Sequence, residues 1–341
     1  MRFPEFTEEW NYESLDTIAP NITSGRSKPS LGEYNLYGST GIIGKTATAD
    51  YSGDMLLVAR VGANAGSLQL VNDSCGITDN TLIIKPCKLS SHYLYFYLQH
   101  YNLNRLVFGS GQPLITAGML KKVRIPFGNQ LEQKKIENFL CCIDERITTQ
   151  NKIIEKLETL IKGIRNNIIS KIKGDCITLQ DIADIYQPQT IASTDLTEDG
   201  YLVYGANGII GKYRSFNHEK EQICITCRGN TCGTVNFTEP KSWITGNAMV
   251  INTDNYAKNV NKRYLFHYLS SINFNSIISG SGQPQIVRQP LAKLKLILPV
   301  LIIQNRIAEC LDAMFAKMKN EQSFLQILQI QKSCLLSQMF I

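Results

Sequence analysis

The chain has 341 residues, of which 43% are hydrophobic and 19% charged, and its formal net charge is +6. These proportions are typical of a folded globular protein and exclude a disordered one. Apolar runs stay well below the roughly eighteen residues that a membrane span needs, and the first residues lack a signal-peptide pattern. We therefore expect a cytoplasmic protein with no membrane partner, whose ten cysteines are reduced thiols, several of them in core positions.

The positive charge is not concentrated in either of the two parts of the chain that are predicted to be globular. Residues 1–128 and residues 174–301 each contain 11 Lys or Arg and 10 Asp or Glu. Neither part is basic as a whole. A DNA-binding function therefore requires positive charge to be gathered on one face, which composition alone does not reveal.

Short strands and turns rich in Gly and Asn dominate residues 1–128. Apolar runs predict strands near residues 55–60 and 81–85. A run rich in Tyr, Phe and Leu predicts one helix near residues 91–100. This part of the chain is therefore predicted to be a mixed α and β domain.

Residues 129–173 have the pattern of one long helix. Between Ile136 and Ile172, apolar residues recur in steps of three, four and seven for about six heptads, without a proline. So narrow a stripe needs a partner helix along its length. Residues 302–341 repeat the spacing after Pro299, and we expect the two helices to pack antiparallel as a coiled coil.

The second globular part repeats the first. At an offset of 167 residues, the segment that begins at Tyr37 and ends at Lys45 matches the segment that begins at Tyr204 and ends at Lys212. The sequence Gly-Ser-Gly-Gln-Pro occurs twice, and strands and a helix are predicted at positions matching those of the first part. The chain is thus predicted to be a tandem duplication of the α+β class. The predicted domains are residues 1–128, 129–173, 174–301 and 302–341.

A Gly-rich segment that begins at Gly38 and ends in Gly-Lys-Thr superficially resembles a phosphate-binding loop. Such a loop has four residues between its first glycine and the Gly-Lys pair, but five residues separate Gly38 from Gly44 here. The second copy has Tyr213 where a metal-binding Ser or Thr is needed. A tight hairpin with Ile42 and Ile43 anchoring its turn is the favoured interpretation.

Three cysteines in the second part resemble the start of a zinc site, namely Cys224, Cys227 and Cys232, with His218 nearby. Their counterparts in the first repeat, such as Leu57, cannot bind a metal, and no second cysteine pair completes a tetrahedral site. Core thiols are the favoured interpretation. No nucleophile elbow, dinucleotide fingerprint or amino-methyltransferase motif occurs in the sequence, which indicates a binding protein rather than a catalyst.

Polar residues in the duplicated turns are the candidates for contact with DNA. Arg and Asn side chains can form bidentate contacts with guanine and adenine edges, and Lys binds phosphates. Solvated turn residues remain the alternative for each position, and a loop scaffold is favoured for the Gly-Ser-Gly-Gln-Pro stretch. The candidates are Lys45, Arg60, Asn64, Gln112, Lys212, Arg214, Arg228, Asn230 and Gln283.

Four basic residues of the central helix, Arg146, Lys152, Lys156 and Arg165, are placed by helical spacing outside the apolar stripe. We expect them to contact a partner protein rather than DNA base edges. Screening of phosphates and a solvated helix face are the alternatives. No metal site is predicted.

At this point the motifs resemble the specificity subunits of type I restriction-modification systems. They are Tyr-Gly-x-x-Gly-Ile-Ile-Gly-Lys, Arg-Gly-Asn-Thr-x-Gly, Gly-Ser-Gly-Gln-Pro and the Gln-x-x-Ile-x-x-x-Leu start of each long helix. Each occurs twice or nearly so, and the resemblance spans nearly the whole chain. It implies two target-recognition domains, each reading one half of a split double-stranded DNA sequence, separated by two antiparallel helices.

The resemblance also implies partners. The helices would dock two methyltransferase subunits and the restriction subunits, while the chain itself would be no enzyme and hold no cofactor. S-adenosylmethionine, ATP and Mg²⁺ would belong to those partners. The alternatives are the specificity subunit of a related restriction-modification type and a coiled-coil adaptor without DNA readout. An adaptor would explain the helices but not two glycine-turned domains that carry Arg and Asn.

Overall fold

The structure is a computed structural model that describes residues 2–108, 113–206, 208–280 and 282–340. The chain forms two compact units. The first contains Met1–Asn151 together with Ser323–Ile341, and the second contains Lys152–Gln322. Each unit therefore combines one globular part with one portion of each long helix.

Among its described residues, the first unit contains nine strands and the start of the central helix. Its strands are β1 Asn11–Ser14, β2 Thr23–Ser24, β3 Tyr34–Gly38, β4 Gly41–Thr46, β5 Asp54–Ala59, β6 Leu68–Asn72, β7 Gly76–Ile77, β8 Thr81–Ile84 and β9 Arg124–Phe127. Its α-helices are α1 Leu15–Ile18, α2 Ser91–Tyr101, α3 Ala117–Lys121 and the first part of α4 Gln130–Lys171, and Leu103–Leu106 is a 3₁₀ turn.

Two sheets and a helix enclose the core of the first unit. One sheet has the strand order β2-β8-β5-β6, the second has the order β4-β3-β7, and β1 pairs with β9. Leu56 and Ile84 on the four-stranded sheet pack in one cluster with Tyr93 and Phe96 of α2, all of them fully or almost fully buried. The aromatic face of α2 thus covers the apolar face of this sheet.

The second unit repeats this arrangement. Its strands are β10 Asp175–Thr178, β11 Asp184–Tyr186, β12 Tyr201–Gly205, β13 Gly208–Tyr213, β14 Ile223–Thr226, β15 Val235–Phe237, β16 Trp243–Ile244, β17 Ala248–Asn252, β18 Ile278–Ser279, β19 Gln285–Ile286 and β20 Lys295–Leu298. Its α-helices are the remainder of α4, α5 Lys262–Leu269, α6 Arg288–Ala292 and part of α7 Leu301–Met339. Its 3₁₀ turns are Leu179–Asp181, Ser193–Asp195, Asp254–Tyr256 and Phe274–Ser276.

Sheet topology confirms the predicted duplication. The orders β11-β17-β14-β15 and β13-β12-β16 and the pair β10-β20 correspond one by one to the three sheets of the first unit. Each hairpin has a register shift at the same place, after Leu36 in one unit and after Val203 in the other. The β18-β19 pair has a counterpart in the first unit, where Phe108 and Leu114 form a single antiparallel bridge.

The start of each long helix is closed by the same interaction. Gln133 Nε2 donates to the backbone oxygen of Gly128, and Gln304 Nε2 donates to that of Pro299, both at 2.8 Å. Each glutamine thus reaches five residues back and binds a carbonyl group that precedes the helix. The two helices are α4 with 42 residues and α7 with 39, as the heptad pattern predicted.

Packing within the units confirms that the helices are antiparallel. In the first unit, the start of α4 packs through Ile136 and Leu140 against the end of α7 through Leu336 and Met339. In the second unit, Arg165 of α4 lines a cavity with residues of the globular part, and Asp312 of α7 accepts from Arg263 of the same part. Among the described residues, no helix is long and apolar enough to cross a membrane.

Candidate nucleic-acid interface

A tight hairpin occupies the same place in both units, and it confirms the interpretation of the Gly-rich segment. A Cβ atom at Gly38 would lie 2.9 Å from Ile43 Cδ1, and one at Gly205 would lie 2.9 Å from Ile210 Cδ1. A side chain at either glycine would therefore displace the isoleucine that covers it. Both isoleucines after the turn remain largely in solvent, with Ile42 57% and Ile43 52% exposed, so burial in a core does not anchor this turn.

In the second unit, a Gly-containing turn at residues 228–231 joins the hairpin to the Gly-Gln-Pro loop. The hydroxyl groups of Thr226 and Thr231 donate to the backbone oxygen of Ala206 at 2.8 and 2.6 Å. On the other side, the backbone nitrogen of Gly229 donates to the backbone oxygen of Pro284 at 3.0 Å. Three motifs that are far apart in sequence thus meet at one edge of this unit.

This edge presents polar side chains to solvent. Arg228, Asn230 and Gln283 are exposed and extend from the turn and the loop that are hydrogen-bonded to each other. Gly229 has φ of +85°, which a glycine adopts without strain and which reverses the chain between Arg228 and Asn230. The structure therefore brings together three of the residues that the sequence singled out as DNA contacts.

The equivalent edge of the first unit has the same backbone connections. Gly62 donates from its backbone nitrogen to the backbone oxygen of Pro113 at 3.0 Å. The side chain of Gln69 on β6 donates to the backbone oxygen of Gly38 at the hairpin turn, at 2.9 Å. Gln112, a predicted contact, lies outside the described residues, and Asn64 is exposed.

Arg60 and Arg228 are not structural equivalents. The backbone nitrogen of Arg60 donates to the backbone oxygen of Asn80 at 2.9 Å. The backbone nitrogen of Cys227 donates to the backbone oxygen of Asn247 at the same distance. Arg60 therefore occupies the place of the buried Cys227. Its side chain is half-buried, and its Nε has no hydrogen-bond partner among the described residues.

The candidate basic residues of the hairpins lie away from the hairpin turns. Lys45 Nζ donates to the side chain of Asn35 at 2.9 Å, across the paired strands. Lys212 Nζ lies 3.8 Å from an Asp199 carboxylate oxygen. Arg214 is exposed, and its guanidinium carbon lies 5.8 Å from the ring centroid of Tyr213. In the part of the second unit that the structure describes, Lys212 and Arg214 make these contacts and none with the turn that carries Arg228.

The four basic residues of α4 fall into two groups. Arg146, Lys152 and Lys156 are exposed, as expected for a partner surface or a solvated face. Arg165 is half-buried, and burial lowers the pKa of its guanidinium. Arg165 therefore faces the globular part of the second unit rather than solvent.

The cysteines that resembled a zinc site lie in or beside the sheet core. Cys224 and Cys227 are fully buried, and burial raises the pKa of the Cys224 thiol to about 12. His218 is bonded on both ring nitrogens, with the Tyr186 hydroxyl at 2.9 Å and the Asn217 amide oxygen at 2.6 Å. In the described ranges, no three His, Cys, Asp or Glu residues are placed to hold a metal.

Sequence reasoning missed the two threonines that position the turn. Thr226 corresponds to Ala59 at the repeat offset, so the comparison of repeats gave no signal there. Thr231 lies within the Arg-Gly-Asn-Thr motif, whose Arg and Asn are the predicted DNA contacts. A Thr on each side of a Gly turn was the available indication that hydroxyl groups hold the turn in place.

Comparison with known proteins matches both repeats. The family model for the type I restriction modification DNA specificity domain matches residues 2–159 and again residues 175–329. The EcoprrI type I restriction enzyme specificity subunit of Escherichia coli is 28% identical over 169 residues, which are 48% of this chain and 41% of that protein. The aligned stretch thus spans less than half the length of that relative.

Solved structures share the whole architecture. The S subunit of a type I restriction-modification system from M. genitalium has a TM-score of 0.69 at 18% identity, covering 100% of this chain and 99% of that one. A chain from a structure concerning complex assembly and conformational transition of the type I R-M system has a TM-score of 0.58 at 15% identity, with 98% of each chain covered. At these identities the likeness shows the fold.

Proposed function

Because this chain belongs to the family of type I restriction-modification DNA specificity proteins, whose model matches both of its repeats, we propose that it is a non-catalytic subunit that selects the DNA sequence for a methyltransferase complex. The observation that carries this proposal is the convergence of exposed Arg228, Asn230 and Gln283 at one edge of the second unit. Side chains of these types read base edges in the major groove through paired hydrogen bonds.

Each unit reads one half of a bipartite target. The backbone connections of the two edges are the same, whereas the exposed side chains differ, since Arg228 and Asn230 correspond to Val61 and Ala63. Two edges with one scaffold and different side chains are suited to two different base sequences. The long helices set the distance between the two segments that are read.

The helices also hold the partner subunits. The exposed Arg146, Lys152 and Lys156 offer cations along α4, and a methyltransferase subunit binds there with acidic groups. Because the units are duplicates, two copies of the methyltransferase subunit bind one chain. S-adenosylmethionine, ATP and Mg²⁺ are bound by the methyltransferase and restriction subunits, and the targets of this complex are double-stranded DNA.

Two measurements test the proposal. Duplex DNA should shift in an electrophoretic assay with the full chain together with its methyltransferase subunit. Methylome sequencing of a host that expresses this complex should then reveal one methylated motif with two specified segments and an unspecified spacer. The proposal is overturned if the complex assembles but does not shift DNA, and if methylation does not require this chain. The chain would then be an adaptor.

A further inference from the structure

A cavity of about 440 Å³ lies in the second unit, where α4 passes the globular part. One wall is formed by Lys162, Arg165 and Asn166 of α4, and the opposite walls include Thr234 and Asn275. None of the described residues that line the cavity is an aspartate or glutamate. The cavity thus combines two cations with amide and hydroxyl groups and contains no lining carboxylate.

Arg165 is not neutralised within its own unit. Its Nε is buried without a hydrogen-bond partner, and the side chain forms no ion pair in the part of the chain that the structure describes. The carboxylate of Asp312 is bound by His267 and Arg263 instead. A half-buried guanidinium whose Nε has no partner loses hydration without compensation, so an anionic ligand in this cavity would remove a cost that the free protein carries.

The walls of the cavity are continuous with the edge that carries Arg228. The backbone nitrogen of Cys232 donates to the backbone oxygen of Gly229 at 3.0 Å. The backbone nitrogen of Thr234 donates to the backbone oxygen of Thr231 at the same distance. A third lining residue, Ile278, pairs with Ile286 in the hairpin that carries Gln283. A ligand in the cavity therefore lies against the same turn and hairpin as the exposed Arg and Gln side chains.

The first unit has no equivalent cations, so the cavity is not a by-product of the duplicated fold. At the offset that relates Gln133 to Gln304, the counterparts of the three α4 residues are Ser333, Leu336 and Ser337. Leu336 is buried in the core of the first unit. The second unit alone places Arg and Lys at these helix positions.

We propose that Lys162, Arg165 and Asn166 bind a phosphate group of the DNA backbone beside the segment that the second unit reads. This inference rests on the proposed function and adds a contact that the central helix makes with DNA. The guanidinium group of Arg165 donates to the phosphate oxygens, Lys162 adds a point charge, and the Asn166 amide donates a further hydrogen bond. Such a contact fixes register on the duplex and is independent of base sequence.

The test compares two double variants of the full chain, with a labelled duplex of random sequence as the probe and fluorescence anisotropy over a range of salt concentrations. Arg165→Gln with Lys162→Gln should weaken binding about tenfold and reduce the slope of log K against log salt by ~0.9, as for one lost phosphate contact. Lys171→Gln with Lys319→Gln removes the same charge outside the cavity and should leave the slope unchanged. Lys171 lies about two and a half turns beyond Lys162, on the opposite face of α4.

A measurement of stability shows whether an Arg165 variant is folded. It also separates a role of Arg165 in binding from a role in structure. Arg165→Met removes a half-buried charge that has no ion-pair partner among the described residues, so its melting temperature should equal or exceed that of the wild type while its affinity for the duplex falls. Inorganic phosphate at constant ionic strength should raise the melting temperature of the wild type more than that of the double cavity variant. A fall in melting temperature with unchanged DNA affinity would identify a structural role for Arg165 and overturn the inference.

The remaining outcomes distinguish the inference from the proposed function. If the wild type binds the duplex and the cavity variant binds it with the same salt slope, the phosphate contact is wrong and the proposed function stands. If the cavity variant keeps the slope but loses the methyltransferase subunit, the ligand is a protein and the inference is overturned. If the wild type complex binds no duplex, both fail.

Discussion

Asp144 and Lys332 form an ion pair of 2.6 Å that joins the two long helices within the first unit. The Lys332 side chain is only 15% exposed, and its ammonium nitrogen lies 5.5 Å from the ring centroid of Phe96. The pair therefore fixes which turn of α7 lies against which turn of α4. It also ties both helices to α2, the helix that covers the sheet.

Removing this ion pair should destabilise the first unit more than removing an exposed one. We expect Lys332→Met to lower the free energy of unfolding by about 1–3 kcal/mol, because Asp144 would lose a charged partner in a partly buried place. Lys121→Met, whose partner Asp16 is 56% exposed, should cost at most about 1 kcal/mol. Urea unfolding of the full chain measures both, and equal midpoints would contradict the assignment.

Substitutions of apolar residues on α4 should destabilise the protein only where the side chain is buried. Leu140 is fully buried against α7, whereas Leu131 on the same helix is 76% exposed. We expect Leu140→Ala to lower the free energy of unfolding by about 2–5 kcal/mol, because it leaves a cavity in the core. Leu131→Ala should change it by less than about 0.5 kcal/mol. Similar losses in thermal unfolding of the two variants would show that α4 is not anchored by this stripe.

The second unit should become less stable as the pH decreases, because of His267. Burial lowers the pKa of this histidine below its ordinary value, against the opposing effect of Asp312, which accepts from its Nε2 at 2.7 Å. Below a pH of about 6.5 the unfolded chain binds a proton that the folded chain refuses. The stabilisation is therefore complete above that pH and is lost as the pH falls toward the lowered pKa.

Phe96 is the counterpart of His267 in the first unit, so this fold accepts a phenylalanine at the equivalent place. His267→Phe should flatten the dependence of melting temperature on pH between about 7.5 and 5.5. The flattening should be partial, because burial also lowers the pKa of His218. His267→Gln, which retains an amide donor for Asp312, should flatten the curve equally. Parallel curves for wild type and both variants would rule out this histidine as the source.

Substitutions at the edge of the second unit should separate base readout from phosphate binding. Arg228→Ala should weaken binding of the methylated motif by about 1–3 kcal/mol and relax the preference at one base position. Lys212→Ala should weaken binding of all sequences alike, since a lysine contact with phosphate carries no base information. Competition binding with single-base variants of the motif decides this. If Arg228→Ala weakened binding of all these variants equally, Arg228 would not take part in base readout.

Exchange of residues 174–301 for the corresponding part of another family member should change one segment of the methylated motif and leave the other segment unchanged. The reason is that each unit has its own hydrophobic core and its own edge. Methylome sequencing of the chimera measures the result. Alteration of both segments would show that the two units do not read independently.

Periodicity and duplication made the larger features predictable. The central helix was expected at residues 129–173 and is Gln130–Lys171, because a heptad stripe is a local signal that extends over many turns. The strand Thr81–Ile84 was predicted at residues 81–85, since a short apolar run between polar turns leaves little choice. The hairpin at Gly38 was identified because the same glycines occur in both repeats.

Other features depended on contacts that no local pattern contains. Arg165 was grouped with three exposed residues of α4, and only the position of the globular part shows that this one side chain is half-buried. The repeat offset matches Arg60 with Cys227, and the backbone hydrogen bonds agree, but only the structure shows that the Arg60 side chain is half-buried. Thr226 holds Ala206 through a hydrogen bond across twenty residues, which a comparison of repeats could not find.

The composition of the first unit has a consequence for the order of events during synthesis. Its core is completed by Leu336, Met339 and Phe340, and the Phe340 ring lies 5.5 Å from those of Tyr93 and Tyr97. These three residues leave the ribosome long after residues 1–151. The second unit, continuous from Lys152 to Gln322, can close its core earlier. The globular part that is translated before the second unit therefore matures after it, and its aromatic cluster remains open to chaperones until residues 336–340 have left the ribosome.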